Sequence, residues 1–200
     1  MRWLNYLLGV IDRTQQILKS KIYGRLKIGI VGYIPQGVGM SSSAALCCGF
    51  AYGLNKALNL KISKEDICLI AQWSEHNYIG AKCGLLDQTA IVFSPGNAFM
   101  KVDFLTNHRE IEEVPFDFSI ILIDSNDPHC LAETHYNKRR EECKKAADFI
   151  FSLVGKEITP ESSLRDCLIG ELEMSFKVGH MDPILHNRAK YVIEENQRAQ

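Results

Sequence analysis

Residues 35–46 read PQGVGMSSSAAL and join two segments with different hydrophobic patterns. An alternating apolar run at 27–34 comes first and predicts a strand, and the apolar spacing at 43–58 predicts a helix. Gly37 and Gly39 tolerate positive φ and allow close approach to a ligand. Serines at 41–43 can begin the helix, whose first amide groups and dipole favour a phosphate. This order of strand, glycine-rich loop and helix therefore predicts an anion site. The alternative interpretation is an ordinary strand-to-helix turn with a serine N-cap.

The same stretch lacks the patterns of three common nucleotide-binding loops. No G-x-x-x-x-G-K-[ST] occurs in the chain, which excludes a Walker A loop. Neither H-R-D nor D-F-G occurs, which excludes a protein-kinase lobe. Ser42 stands where a dinucleotide-binding fingerprint has its third glycine, so that interpretation is also disfavoured.

Composition narrows the class of protein. The 200 residues are 46% hydrophobic and 24% charged, as in a soluble globular chain with a sizeable core. The formal net charge is −1, so no basic excess indicates nucleic acid or an anionic membrane. The seven cysteines contain no C-x-x-C pair, which predicts reduced, mostly buried thiols in a cytoplasmic protein rather than a metal cluster.

Apolar periodicity and capping residues predict the remaining elements. Helices are expected at 3–19, from an N-cap at Ser63, around 85–90, and at 131–154, 163–177 and 183–200. Alternating runs predict strands at 98–104 and 118–124. The first helix begins almost at residue 1 and the last still runs at residue 200, so both ends are expected to be cut.

Four motifs, in order along nearly the whole chain, resemble one family. The 35–46 stretch resembles the P-x-x-x-G-[LM]-x-S-S-A motif of the GHMP small-molecule kinases, and within them the galactokinases. Residues 75–88, EHNYIGAKCGLLDQ, resemble the galactokinase segment E-H-x-[FY]-x-G-x-x-C-G-[IL]-[ML]-D-Q. Residues 125–143 are similar to the run N-S-x-x-x-H-x-L-A through Y-x-x-R-R-x-x-C, and residues 187–195 to R-A-[RK]-[HY]-V-x-x-E.

The resemblance implies an activity and a set of site residues. The activity is ATP-dependent phosphorylation of the anomeric hydroxyl of galactose, with Mg²⁺. Asp87 falls at the family's catalytic aspartate and would accept or polarise the sugar hydroxyl proton. Ser43 and Glu75 fall where family members hold magnesium through hard oxygen ligands. The remaining implied contacts are the nucleotide-binding residues Gly37, Gly39, Ser41, Ser42 and Ser43, and the sugar-binding residues Gly84 and Tyr136.

Without the resemblance, several of these residues have structural interpretations. Glu75 reads as a solvated acid at a helix end, because carboxylates are usually exposed. Tyr136 reads as helix packing. His76 is expected to be structural and His129 to make a hydrogen bond in a loop. Arg139 and Arg140 are expected on a solvated or ion-paired face.

The family also implies an α+β fold, with a mixed sheet packed with helices on one side and a left-handed crossover at the phosphate loop. Residues 1–116 would form part of the N-terminal domain and residues 117–200 the start of a second α/β domain. The family's N-terminal sugar motif and its C-terminal glycine-rich motif have no match here. We therefore expect a central fragment with little or no turnover, and self-association through unpaired sheet edges.

Two alternatives to a galactokinase stay open. One is a related sugar kinase that acts on galacturonic acid or N-acetylgalactosamine. The other is a non-catalytic homologue that binds sugar or nucleotide. An insertion or deletion near the serine run removes catalysis in such homologues, whereas Ser41, Ser42 and Ser43 are all present here.

Overall fold

The computed structural model describes residues 3–96, 98–113, 119–124 and 135–199. The chain divides into two compact units, Met1–Ala132 and Glu133–Gln200. The domain boundary expected near residue 116 stays a prediction. Each unit has a hydrophobic core of its own.

In the described residues of the first unit, four α-helices pack together. They are α1 (Trp3–Leu18), α2 (Ser42–Leu58), α3 (Lys64–Ser74) and α4 (Leu86–Phe93). The first three pack against one another, and α4 packs against α2 and α3. Their apolar faces meet in a core that includes Val10, Cys47, Ile67 and Ile70, each at most 1% exposed. Burying such side chains removes apolar surface from water and holds the helices together.

The predicted N-cap of α3 is confirmed. The Ser63 hydroxyl accepts a hydrogen bond from the Asp66 amide at 3.0 Å, which satisfies one of the first amide groups of the helix. At its other end, α3 continues without a break into a π-helical segment, Glu75–Ile79. Gly80 ends that segment at φ 86°, a conformation that glycine adopts readily.

Two strands form an antiparallel hairpin. The predicted strand at 98–104 is β1 (Ala98–Asp103), and it pairs with β2 (His108–Glu113) in a register that runs from Ala98 opposite Glu113 to Asp103 opposite His108. Asp103 stabilises the connecting turn, because its carboxylate accepts hydrogen bonds from the Leu105 amide and the Thr106 hydroxyl. The sequence did not predict β2, whose residues HREIEE include a single apolar side chain.

The strands predicted at 27–34 and 118–124 are wrong over the residues that can be described. Residues 27–34 and 119–124 contain no strand, and Ile28, Ile30 and Ile34 are 45–48% exposed. An alternating pattern forms a strand only where a neighbouring strand supplies hydrogen-bond partners. Within the described ranges, the hairpin is the only sheet. The α+β class is therefore confirmed, whereas the mixed sheet and its crossover are not found there.

Over residues 135–199, the second unit contains three α-helices and a short 3₁₀ turn. They are α5 (His135–Val154), the turn Leu164–Asp166, α6 (Ile169–Lys177) and α7 (Pro183–Arg198). Asp182 caps α7 by accepting the Ile184 amide at 2.7 Å, with Pro183 at the first helical position. Ile150, Leu172 and Ala189 are fully buried between the helices. None of the helices in the described ranges has the length and apolar character needed to cross a membrane.

Candidate active site

The glycine-rich loop takes backbone conformations that its sequence anticipates. Gly37 and Gly39 have φ values of 78° and 77°. A Cβ at either position would meet no other atom within 4 Å, so the requirement for glycine comes from φ and not from crowding. Both glycines are exposed, which leaves the backbone of the loop accessible.

The loop leads into the start of α2, where the ordinary serine N-cap is absent. Ser41 occupies the N-cap position with φ 54°, and its side chain makes no capping hydrogen bond. The first helical bond runs from the Ala45 amide to the Ser41 carbonyl at 3.0 Å. The amides of Ser42, Ser43 and Ala44 therefore precede the helical ladder without a side-chain cap. Such amides, at the positive end of the helix dipole, favour an anion.

Glu75 is a buried carboxylate at the start of the π-helical segment. It is 3% exposed, so its interpretation as a solvated helix-end acid is wrong. Its Oε2 accepts a hydrogen bond from Gln88 Nε2 at 2.5 Å and lies 3.6 Å from Cys83 Sγ. A buried carboxylate requires such partners because burial disfavours its charge.

Asp87 lies in the first turn of α4 and is partly exposed. Both it and Glu75 act electrostatically on Cys48, in the second turn of α2. Burial is the main cause that raises the pKa of the Cys48 thiol to about 12, and these carboxylates add to the effect. Asp87 lies on α4, which packs against α2, and Glu75 follows α3, which packs against α2 as well.

A short loop connects these carboxylates and carries Gly84. Two side chains of the preceding helical segment hold it through the Cys83 carbonyl. His76 Nε2 lies 2.8 Å from that oxygen, and Gln72 Nε2 donates to it at 3.1 Å. The structural role predicted for His76 is confirmed. Gly84 is exposed next to this anchored position.

The thiols are mostly as predicted. Cys47, Cys48, Cys68 and Cys167 are buried, and burial raises their pKa values, which keeps them protonated and unreactive. Cys83 differs, because it is only partly buried and contacts the Glu75 carboxylate, although its pKa is also raised to about 11. Over the described ranges, no three His, Cys, Asp or Glu side chains group to hold a metal.

The last predicted sugar contact belongs to the second unit. Tyr136 lies in the first turn of α5 and is 47% exposed, so it does not serve as buried helix packing. Arg139 and Arg140 follow it on an exposed face, as predicted. His129 lies outside the described residues.

Sequence reasoning missed Gln88 and the π-helical segment. Gln88 follows Asp87 in the sequence and is 1% exposed. Its partner Glu75 is 13 residues away. No helical or strand period links residues at that spacing, so the pattern gave no reason to pair them. π-helical segments are rare and often lie at functional sites, but no simple residue pattern predicts one.

Comparisons with known proteins agree with the motifs. Residues 5–95 match the family model for the GHMP kinases N terminal domain. The structure is similar to the crystal structure of Lactococcus lactis galactokinase complexed with galactose, with a TM-score of 0.81 and 28% sequence identity. The match covers 98% of this chain and 49% of that chain, so this chain spans about half the length of that protein.

Proposed function

We propose that the chain is part of a sugar kinase, because residues 5–95 match the family model for the GHMP kinases N terminal domain and the structure is similar to that of a galactokinase. The proposed reaction transfers the γ-phosphoryl group of ATP to the anomeric hydroxyl of galactose. Residues 1–116 belong to the N-terminal domain in this proposal, and residues 117–200 begin the second domain. The observation that carries it is the uncapped start of α2, which follows Gly37 and Gly39. Asp87 lies on α4, which packs against α2.

The nucleotide phosphates bind at the loop and the start of α2 in this proposal. The backbone of Gly37, Gly39 and residues 41–43 surrounds them, and the amides of Ser42, Ser43 and Ala44 donate to their oxygens. The left-handed conformation of Ser41 supports this arrangement, because it keeps the serine hydroxyl away from the capping position. Negative charge is favoured there by the helix dipole.

Magnesium is proposed to bind through the Ser43 hydroxyl and the Glu75 carboxylate. Both supply hard oxygen ligands, which is the chemistry that Mg²⁺ prefers. The buried setting of Glu75 fits this role, because its charge is already held in place by the Gln88 amide. When bound, the metal offsets negative charge on the phosphates.

Asp87 is proposed as the catalytic residue. Its partly exposed carboxylate, at the first turn of α4, accepts or polarises the proton of the sugar hydroxyl as the phosphoryl group is transferred. Gly84 and Tyr136 contact the sugar in this proposal. The tyrosine offers both a hydroxyl for hydrogen bonding and a ring for packing.

Isothermal titration of the chain with Mg²⁺–ATP tests the nucleotide site. We expect saturable binding that Ser43→Ala weakens and Asp87→Asn leaves unchanged, because only the former residue contacts phosphate or metal. Ser152→Ala is the matched control, since this serine lies in the second unit and its hydroxyl donates to the Phe149 carbonyl. No heat of binding from a sample shown to be folded by circular dichroism would contradict nucleotide binding by this chain.

A further inference from the structure

One buried polar contact links the π-helical segment to α4. Gln88 Nε2 donates to Glu75 Oε2 at 2.5 Å, and the two residues are 1% and 3% exposed. Hydrogen bonds to a charged acceptor are stronger than neutral ones, and a protein interior strengthens them further. This contact therefore restrains both residues more than an exposed hydrogen bond would.

Gln88 is also fixed through its backbone. Its carbonyl lies 3.4 Å from Cys68 Sγ on α3, the helix that continues into Glu75. Side chain and backbone of Gln88 thus attach α4 to the same helical segment. The neighbouring residue on α4 is Asp87, so a shift of Gln88 moves the carboxylate that the proposed reaction uses.

The orientation of the Gln88 amide follows from charge. Its Oε1 is buried and has no hydrogen-bond partner in the described part of the chain. The opposite orientation would place that oxygen against the Glu75 carboxylate and would be repulsive. Leaving a buried oxygen unpaired is unfavourable, and the charged hydrogen bond on the other side of the amide offsets this.

We propose that Gln88 is a positioning residue, which holds the Glu75 carboxylate and fixes the first turn of α4 with Asp87. The importance of Asp87 and Glu75 rests on the proposed function. The restraint of α4 by Gln88 does not depend on that function, because it concerns which contact keeps α4 in place. The restraint is therefore measurable in the free protein, without ligand.

Amide hydrogen exchange followed by NMR measures that restraint. The Thr89 amide, which donates to the Leu85 carbonyl at 2.9 Å, reports on the first turn of α4. In Gln88→Met we expect exchange of the Thr89 amide to accelerate by roughly 10- to 100-fold, because the substitution removes one hydrogen bond to a charged acceptor. Amides in α1 should change far less. Equal acceleration throughout the first unit would overturn the proposal, because it would mean only a general loss of stability.

A swapped pair supplies the rescue. Glu75→Gln combined with Gln88→Glu exchanges donor and acceptor and keeps one amide–carboxylate hydrogen bond. We expect slow exchange at Thr89 to return in the double variant, whereas each single substitution accelerates it. No recovery in a folded double variant would contradict the role of this hydrogen bond.

Gln72→Met is the matched control, since it also removes a glutamine amide, in this case one that donates to the Cys83 carbonyl. It should leave Thr89 exchange nearly unchanged. Acceleration equal to that of Gln88→Met would mean that the loop, and not the Glu75 carboxylate, holds α4. Mg²⁺–ATP titration of the same samples separates the proposals. Absent binding counts against the kinase proposal alone, and unchanged exchange in Gln88→Met counts against the positioning role alone.

Discussion

Replacing Gly9 by alanine should destabilise the first unit, although alanine is the better helix former. Gly9 lies on the buried face of α1, where α1 packs against α3. A methyl group there would overlap the Ser74 hydroxyl and lie 2.9 Å from Ser74 Cβ and 3.0 Å from its Cα. Ser74 is fully buried, and its hydroxyl donates to the Tyr6 carbonyl at 2.7 Å. The serine therefore has little freedom to move away.

The magnitude follows from opposing effects. Replacing glycine by alanine inside a helix stabilises the folded state by about 0.8–1 kcal/mol, because alanine has the higher helix propensity. Overpacking a buried contact costs about 1–3 kcal/mol. Displacing the Ser74 hydroxyl from its acceptor costs about 1 kcal/mol more. Gly9→Ala should thus lower the free energy of unfolding by about 1–3 kcal/mol.

Urea unfolding followed by circular dichroism measures this change. Gly53→Ala is the matched control, because Gly53 lies in α2 with open space around its Cβ position. It should raise the free energy of unfolding by about 0.5–1 kcal/mol. If Gly9→Ala is as stable as Gly53→Ala, the packing of α1 on Ser74 is not as described.

Three further predictions concern capping, the second core and pH. Ser63→Ala should lower the free energy of unfolding by about 1 kcal/mol, as measured by urea unfolding. Ser63→Thr should keep most of the stabilisation by the cap. Leu172→Ala should lower the free energy of unfolding by about 2–5 kcal/mol, because it leaves a cavity in the second core. Met174→Ala, on the exposed face of α6, should change it by less than about 0.5 kcal/mol in the same assay. Burial raises the pKa of Cys48 from 9.0 to about 12, so between these pH values the unfolded chain has lost a thiol proton that the folded chain keeps. Stability should therefore fall as pH rises through this range, and Cys48→Ala should reduce the slope; an unchanged slope would contradict the burial of this thiol.

The helices could be predicted from the sequence because their determinants are local. The apolar spacing of α1 and the cap at Ser63 lie within a few residues of the structure that they specify. The strand predicted at 27–34 failed because its determinant is not local. Ile28 and Ile30 alternate correctly, but a strand also needs a neighbour whose backbone can accept and donate hydrogen bonds. In the described part of the chain, residues 27–34 have no such neighbouring strand.

The candidate site divides in the same way. The conformations of Gly37 and Gly39 follow from their residue type, whereas the role of Asp87, which its motif suggests, stays a prediction. The buried pair of Glu75 and Gln88 could not be predicted, because tertiary packing alone brings residues at that spacing together. The missing cap at Ser41 was equally unpredictable, since serine at this position usually caps the helix.

Residue-resolved NMR of the chain titrated with Mg²⁺–ATP shows directly where the nucleotide phosphates bind. We expect the largest amide shift changes at residues 37–44, with smaller changes at Glu75 and Gln88 that require Mg²⁺. The second core, around Leu172, should be silent. Largest changes outside residues 37–44, or none from a folded sample, would contradict a phosphate site at the start of α2.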